Sequence, residues 1–173
     1  SLLLETSGAL VTLFTGNFQR SIGRFGALPD IISIEDSFCY HMLGERVGSY
    51  MCVKTPKKDP RFVTNRLVAK DENAVNHYCG VPICVERSMI GGLCALDTSG
   101  KRYRNPTARQ IQQLSNLALM CGQAVSCILN AAHGRAQQEK AQRTNLALVL
   151  ENREAREKYL SVRADLRNVL WKE

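Results

Sequence analysis

His77-Tyr-Cys-Gly-Val-Pro-Ile-Cys-Val-Glu-Arg-Ser-Met-Ile-Gly-Gly-Leu-Cys-Ala-Leu-Asp97 reads as two strands folded back on each other. Val81, Ile83 and Val85 alternate with Pro82, Cys84 and Glu86, which predicts a strand with one buried face. Glu86-Arg87-Ser88 is the polar break, so the turn is short. Met89 to Leu96 is apolar almost throughout and suits a central strand covered on both sides. Pro82 places the first strand at an edge or at a local irregularity, and Gly91-Gly92 marks a bulge or a close backbone approach. One of the two glycines is expected against a crossing strand or against the helix that follows. The pattern defines a core hairpin and names no chemistry.

The chain has 173 residues, enough for one domain with its own core. Its net charge of +7 is spread along the chain: residues 1–133 hold 14 basic and 10 acidic groups, residues 134–173 nine and six. Lys54, Lys57 and Lys58 form the densest basic group. Without a basic tract, nucleic acid is not an expected partner. The seven cysteines sit inside apolar runs, not at framework spacing. No signal peptide is visible. These points predict free, buried thiols in a reducing, cytoplasmic setting. No apolar segment reads as a membrane span. The opening Ser1-Leu-Leu-Leu-Glu reads as an excised domain, or as a chain whose beginning is missing.

Outward from the hairpin, Ala9 to Phe14 and Phe18 to Ile22 read as strands joined at Thr15-Gly16-Asn17. Phe25 to Ser33 reads as a loop. Ser33 or Asp36 can cap a short helix through His41 or Leu43, ended by Gly44. Val47 to Val53 reads as a strand, and Thr55 to Asn76 as polar chain with one or two helical turns around Arg61 to Val68. After a turn at Ser99 to Arg104, Asn105-Pro106 is a helix start, with Asn as N-cap and Pro at the first helical position. Ile111, Leu114, Leu117, Ala118, Cys121, Ala124, Val125, Ile128 and Leu129 then trace one helical face, wide enough to cover a sheet. The expected division is a domain over 1–132 and a long helix over 133–173. With Asn145 at heptad position a, Leu148, Asn152, Ala155, Tyr159, Val162, Leu166 and Val169 complete an a/d set, beside a rival stripe through Leu146, Val149 and Leu150.

The order of elements predicts an α+β fold: an antiparallel sheet flanked by helices and followed by a long C-terminal helix. Asp59-Pro60-Arg61-Phe62, Asn65-Arg66-Leu67-Val68, Tyr78-Cys79-Gly80-Val81-Pro82-Ile83 and Ile90-Gly91-Gly92-Leu93-Cys94-Ala95-Leu96-Asp97 resemble the GAF domain. They are similar to the microbial signalling branch of that family, with its D-P-R-F, N-P-L-V, F-Y-A-G-x-P-L and I-G-T-L-C-V-I-D runs. Ser37-Phe38-Cys39-Tyr40-His41 resembles its S-F-C-x-H. The resemblance covers about Ala9 to Ile128. Arg66 stands where the branch has Pro, the hairpin turn is short, and the family's first helix is nearly absent.

The resemblance implies a non-catalytic sensory or regulatory module that takes a small molecule. Its last helix would couple it to a neighbouring domain or a second copy, most simply a parallel homodimer. A ligand-free scaffold in a larger assembly is the alternative. A family pocket would lie between the sheet and residues 36–78, with Tyr40, His41, Phe62, Asn65 and Tyr78 as wall residues. Tyr159, Val162, Leu166 and Val169 would form the interaction helix. The cofactor is unspecified. Bilin-binding relatives attach chromophore in a later helix than Cys39, so covalent attachment is not expected. Cys79 and Cys94 could lie nearly opposite in the hairpin as two small core side chains. Without C-x-x-C or clustered ligands, no metal site is expected. Asn65-Arg66-Leu67 followed by Asp71-Glu72 echoes a cyclic-nucleotide signature but lacks its Lys, Phe and spacer, and reads as chance. His133 reads as a surface residue. No nucleophile–base set, paired carboxylates or phosphate loop supports catalysis.

Overall fold

A computed structural model describes residues 4–43, 49–69, 73–100 and 105–170, the side chains of 164–170 excepted. The expected helix end at Gly44, the strand start at Val47, Asp71-Glu72, and the side chains of Leu166 and Val169 lie outside the described residues. The chain divides into two compact units, Ser1–Ser126 and Cys127–Glu173.

The first unit is built on strands β1 (Gly8–Thr15), β2 (Phe18–Phe25), β3 (Ile31–Ser33), β4 (Met51–Val53), β5 (His77–Val85) and β6 (Ser88–Asp97). They form one antiparallel sheet in the order β3-β2-β1-β6-β5-β4. The β1–β2 turn uses Gly16 at φ 60°, and the β5–β6 turn puts Glu86 at φ 55°. Helix α1 is one turn, Arg66–Ala69, and helix α2 runs Ala108–Leu170. The helical expectation near Ser33 resolves into two 3₁₀ turns, Ile34–Asp36 and Cys39–Met42, the first capped by the Ser33 hydroxyl, which accepts from Glu35 N. The expected loop from Phe25 conceals strand β3, too short to leave a periodic signal.

Strand alternation sends side chains to two separate cores. On the front, Leu10, Tyr78, Cys94 and Leu96 pack with Phe38, Met42, Phe62, Val68 and Val75. On the back, Cys79, Val81, Ile83, Leu93 and Ala95 pack with Leu4 and with Leu114 and Ala118 of α2. β5 is therefore buried on both faces from His77 to Ile83, not on one as its alternation suggests. Pro82 is accommodated because β4 pairs only with Tyr78, Cys79 and Gly80, so the missing N–H lies beyond that ladder. The ladder to β6 shifts register just after it, between Ile83 and Cys84.

The glycine pair serves two different contacts. A Cβ at Gly91 would strike the Thr12 carbonyl of β1, and one at Gly92 would lie 2.9 Å from Cys39 Sγ. Neither glycine meets α2. That role falls to Gly122 of α2, where an added Cβ would strike the Cys84 carbonyl.

Helix α2 begins later than Asn105-Pro106 suggests. Thr107 is the cap: its carbonyl accepts from Ile111 N at 3.0 Å, its hydroxyl accepts from Gln110 N at 3.3 Å, and Gln110 Oε1 accepts from Thr107 N at 2.8 Å. This is a reciprocal capping box with Gln at the third position. The buried stripe is narrower than predicted. Leu114, Ala118 and Gly122 are buried, whereas Leu117, Leu119 and Met120 are exposed. Within the second unit, Ile128, Leu129, Leu146, Leu148, Val149, Leu150, Tyr159, Leu160 and Val162 are exposed. Contrary to the sequence reading, a stretch of this helix has mean hydropathy 1.3, long and apolar enough to cross a membrane by length and composition. Only 17% of that stretch is buried in the fold.

Candidate functional site

The front core is closed by three aromatic rings from separate stretches of chain. Phe62 stacks on Phe38 at 4.2 Å and 8°, and Phe38 stacks on Tyr78 at 4.9 Å and 25°. Phe62 and Tyr78 are among the most completely buried side chains. The Arg61 guanidinium lies 5.0 Å from the Phe62 ring centre and is held there by a two-pronged pair with Asp59. That pair lowers the Asp59 pKa and raises that of Arg61. His41 meets the edge of Phe62 at 4.7 Å. Partial burial, then the nearby Arg61 charge, lower its pKa, against an opposing pull from Asp59.

Of the five expected wall residues, then, Phe62 and Tyr78 belong to the stack and His41 to its edge. Tyr40 is 43% exposed and packs edge-on to Phe14 at 6.1 Å. Asn65 is buried and braces backbone: its amide donates to Asp36 O at 3.0 Å, and its carbonyl oxygen accepts from Leu67 N at 2.9 Å.

Beneath the stack, Tyr78 donates its hydroxyl to Cys39 Sγ at 3.2 Å, and the Thr12 hydroxyl lies 3.8 Å from the same sulfur. Hydrogen bonding from Cys94 holds the Cys39 thiol below its ordinary pKa range, while that same bond and burial push Cys94 well above it. Tyr78 is raised well above its usual value, chiefly by burial.

The expectation of seven free thiols is corrected. Cys52 and Cys79 are direct partners in the β4–β5 ladder, with Cα atoms 4.2 Å apart, and are disulfide-bonded. Cys79 faces Ala95, and Cys94 faces Gly80, so Cys79 and Cys94 are not opposite each other. Cys39 and Cys94 are buried, Cys84 and Cys121 half-buried, and Cys127 exposed. Among the described residues no group of His, Cys, Asp and Glu could hold a metal ion.

Open space on the front face lies beside the stack. A cavity of about 200 Å³ is lined by Leu10 and Leu96 of the sheet, Leu28 and Pro29 of the loop after β2, and Leu67 and Val75. None of the five expected wall residues lines it. Its signal was present in the sequence only as apolar residues in segments read as loop, Ala27 to Pro29 and Asn73 to Val75. A second cavity, about 240 Å³, lies on the back between β5 and α2 around Pro82, Leu119 and Gly122.

The six-stranded order, the helix behind the sheet and the irregular front segment define a GAF-like α+β fold. No protein-family model and no curated protein matches the sequence. Solved structures do. The PixJ GAF domain of Thermosynechococcus elongatus, in its blue-light-absorbing form, is similar at TM-score 0.55 and 16% identity, over 76% of this chain and 83% of that one. The GAF domain of an Acinetobacter phosphoenolpyruvate-protein phosphotransferase is similar at TM-score 0.56 and 12% identity, over 75% and 76%. A type II free methionine-R-sulfoxide reductase from Thermoplasma acidophilum is similar at TM-score 0.52 and 12% identity, over 68% and 77%. At these identities the likeness is one of fold.

Proposed function

We propose that this chain is a non-catalytic sensory or regulatory module of the GAF type, taking a small apolar molecule and coupled through its C-terminal helix to a partner. The observation that carries the reading is the front-face cavity, about 200 Å³, walled mainly by Leu10, Leu28, Leu67, Val75 and Leu96, with Ser21 and Asn73 as its polar members. Such walls favour an apolar ligand, since transfer of apolar surface out of water supplies the affinity. The fold is shared with GAF domains of signalling proteins, which supports a regulatory role by analogy. The burial of the Cys39 and Cys94 thiols supports a non-catalytic reading against the sulfoxide-reductase likeness. We place the module in the cytoplasm, with the apolar part of α2 serving the sheet through Leu114 and Ala118.

A second reading, a ligand-free scaffold for protein association, is favoured by one observation. The Phe38–Phe62–Tyr78 stack fills the space where the family resemblance puts a ligand. Native mass spectrometry of the purified chain separates the two. The sensory reading expects an added small-molecule mass that disappears in Leu28→Trp while the far-UV circular dichroism is unchanged. Bare protein mass, with no thermal shift across a panel of small apolar compounds, would leave the scaffold.

A further inference from the structure

A cluster of sulfur atoms lies at the centre of the front core. Cys39 opens the 3₁₀ turn Cys39–Met42, and Cys94 stands on the front face of β6; both thiols are free and buried. The Cys94 thiol hydrogen-bonds to the Cys39 sulfur. Two glycines make the room. Gly80 is the cross-strand partner of Cys94, and the Tyr78 hydroxyl fills the place of its missing side chain. Gly92 lies two residues before Cys94 on β6, and there the Cys39 sulfur and the Met42 methyl fill the gap. Two thiols and a thioether side chain therefore converge over the middle of the sheet. Hydrogen-bond donors surround them in an otherwise apolar core. The Tyr78 hydroxyl donates to Cys39 Sγ at 3.2 Å, the Thr12 hydroxyl lies 3.8 Å from it, and Gln19 is a further hydrogen-bond partner of that sulfur.

We propose that Cys39 and Cys94, with Met42 beside them, form a binding site for a soft monovalent cation, Cu(I). Two cysteines fall short of the ligand group that zinc requires. Zinc takes four ligands, and half of its coordination sphere would face Leu10, Phe38 and Leu96. Cu(I) is matched to thiolate and thioether sulfur and is satisfied by two or three such atoms. Binding exchanges two thiol protons for one ion: Cu(I) and two thiols give a bis-thiolate complex and two protons, with no change of oxidation state. The complex carries one negative charge, which the Tyr78 hydroxyl and the Gln19 amide stabilise by donating to the Cys39 sulfur. The consequence is mechanical. Cys39 belongs to a short turn and Cys94 to a central strand, so the ion fastens the front segment to the sheet. None of these residues lines the front-face cavity, and the site does not depend on the ligand proposed there.

The test uses the whole 173-residue chain carrying Cys84→Ala, Cys121→Ala and Cys127→Ala, with the Cys52–Cys79 disulfide left oxidised, so that Cys39 and Cys94 are the free thiols. Under argon, with ascorbate holding the copper as Cu(I), titration against bathocuproine disulfonate is expected to leave one ion per chain on the protein. Retention should rise with pH, because thiol protons are displaced. Cys39→Ser and Cys94→Ser should each abolish it, and Tyr78→Phe, which keeps the ring and removes the donor, should weaken it about 10–100-fold. Zn(II) offered in the same way should not be held. A further readout needs no change in the cluster: Cu(I) should slow hydrogen exchange at the His41 and Leu43 amides, which close the turn onto Phe38 O and Tyr40 O. Surrender of all copper to the chelator, equal retention in the Cys39→Ser and Cys94→Ser chains, or exchange at His41 and Leu43 unaltered by Cu(I) would each overturn the site. Zn(II) held as tightly as Cu(I) would overturn its assignment to a soft ion.

Discussion

Gly122→Ala and Gly134→Ala make the same chemical change in the same helix, and the structure gives them opposite signs. Removing a helical glycine is ordinarily favourable by about 1 kcal/mol, through lost backbone freedom in the unfolded chain. At Gly134 nothing within the chain itself lies within 4 Å of the added Cβ, so the full gain is expected for the single chain. At Gly122 the methyl strikes the Cys84 carbonyl of β5. Backbone stands on both sides of that contact, so no side chain can swing away. The helix must lift from the sheet, loosening Leu114 and Ala118 from Val81 and Ile83. Overpacking of this kind costs about 2–3 kcal/mol; less the helical gain, a net loss of about 1–2 kcal/mol remains. For a chain of this size that lowers Tm by roughly 2–8 °C. Thermal and urea unfolding followed at 222 nm read both variants. A Gly122→Ala protein as stable as the parent, or more so, would refute the close packing of helix on sheet.

Four other outcomes are expected. His77 is 2% exposed, and burial, opposed by Asp97 and aided by Lys54, holds its pKa at about 4 against 6.5 when free. Between those values the unfolded chain binds the extra proton, so stability falls as pH drops through the window, by about 1–2 kcal/mol at pH 5; urea midpoints that match at pH 7.5 and 5.0 would contradict this. Phe62→Ala removes a fully buried end ring of the stack and should cost about 3–5 kcal/mol, read as a lower urea midpoint; a loss below 1 kcal/mol would mean the rings do not hold the front segment. Gly92→Val crowds Cys39 and should cost about 1–3 kcal/mol, with an unchanged melting temperature as the contrary result. Elemental analysis should find no stoichiometric zinc and acid-urea spectra no visible band; either signal would reverse the reading of the cysteines.

The parts of the fold written in strong local pattern were legible: both hairpins, the central position of β6 and the long helix follow from alternation, turn residues and 3.6-residue spacing. Weaker parts depended on distant chain. Strand β3 is three residues long and exists because β2 offers it an edge at Phe18 to Arg20. The true helix cap was present in the sequence as Thr107 and Gln110, but Asn105-Pro106 is the stronger motif by composition and masked it. The disulfide could not be read at all, since Cys52 and Cys79 meet only through the register of β4 on β5. The wall residues were read as pocket because the family pattern places them over the sheet. Whether such rings enclose space or fill it depends on stacking distances, which sequence does not carry.

The front segment is attached differently from the rest of its unit. Between β4 and β5 its described residues form a 3₁₀ turn, Pro56–Lys58, and the single turn α1. What fastens it is side chains, namely the rings, Asn65 on Asp36 O, and the Arg66–Asp36 ion pair at 2.7 Å. Elements fastened by side chains can detach while a backbone ladder stays closed, so the unit should have two tiers of hydrogen-exchange protection. Amides of Phe62, Asn65 and Val68 would exchange through a partial opening, whereas those of β5 and β6 would wait for global unfolding. A molecule bound beside Leu67 and Val75 could then enter and leave as often as the upper tier loosens, without the sheet taking part.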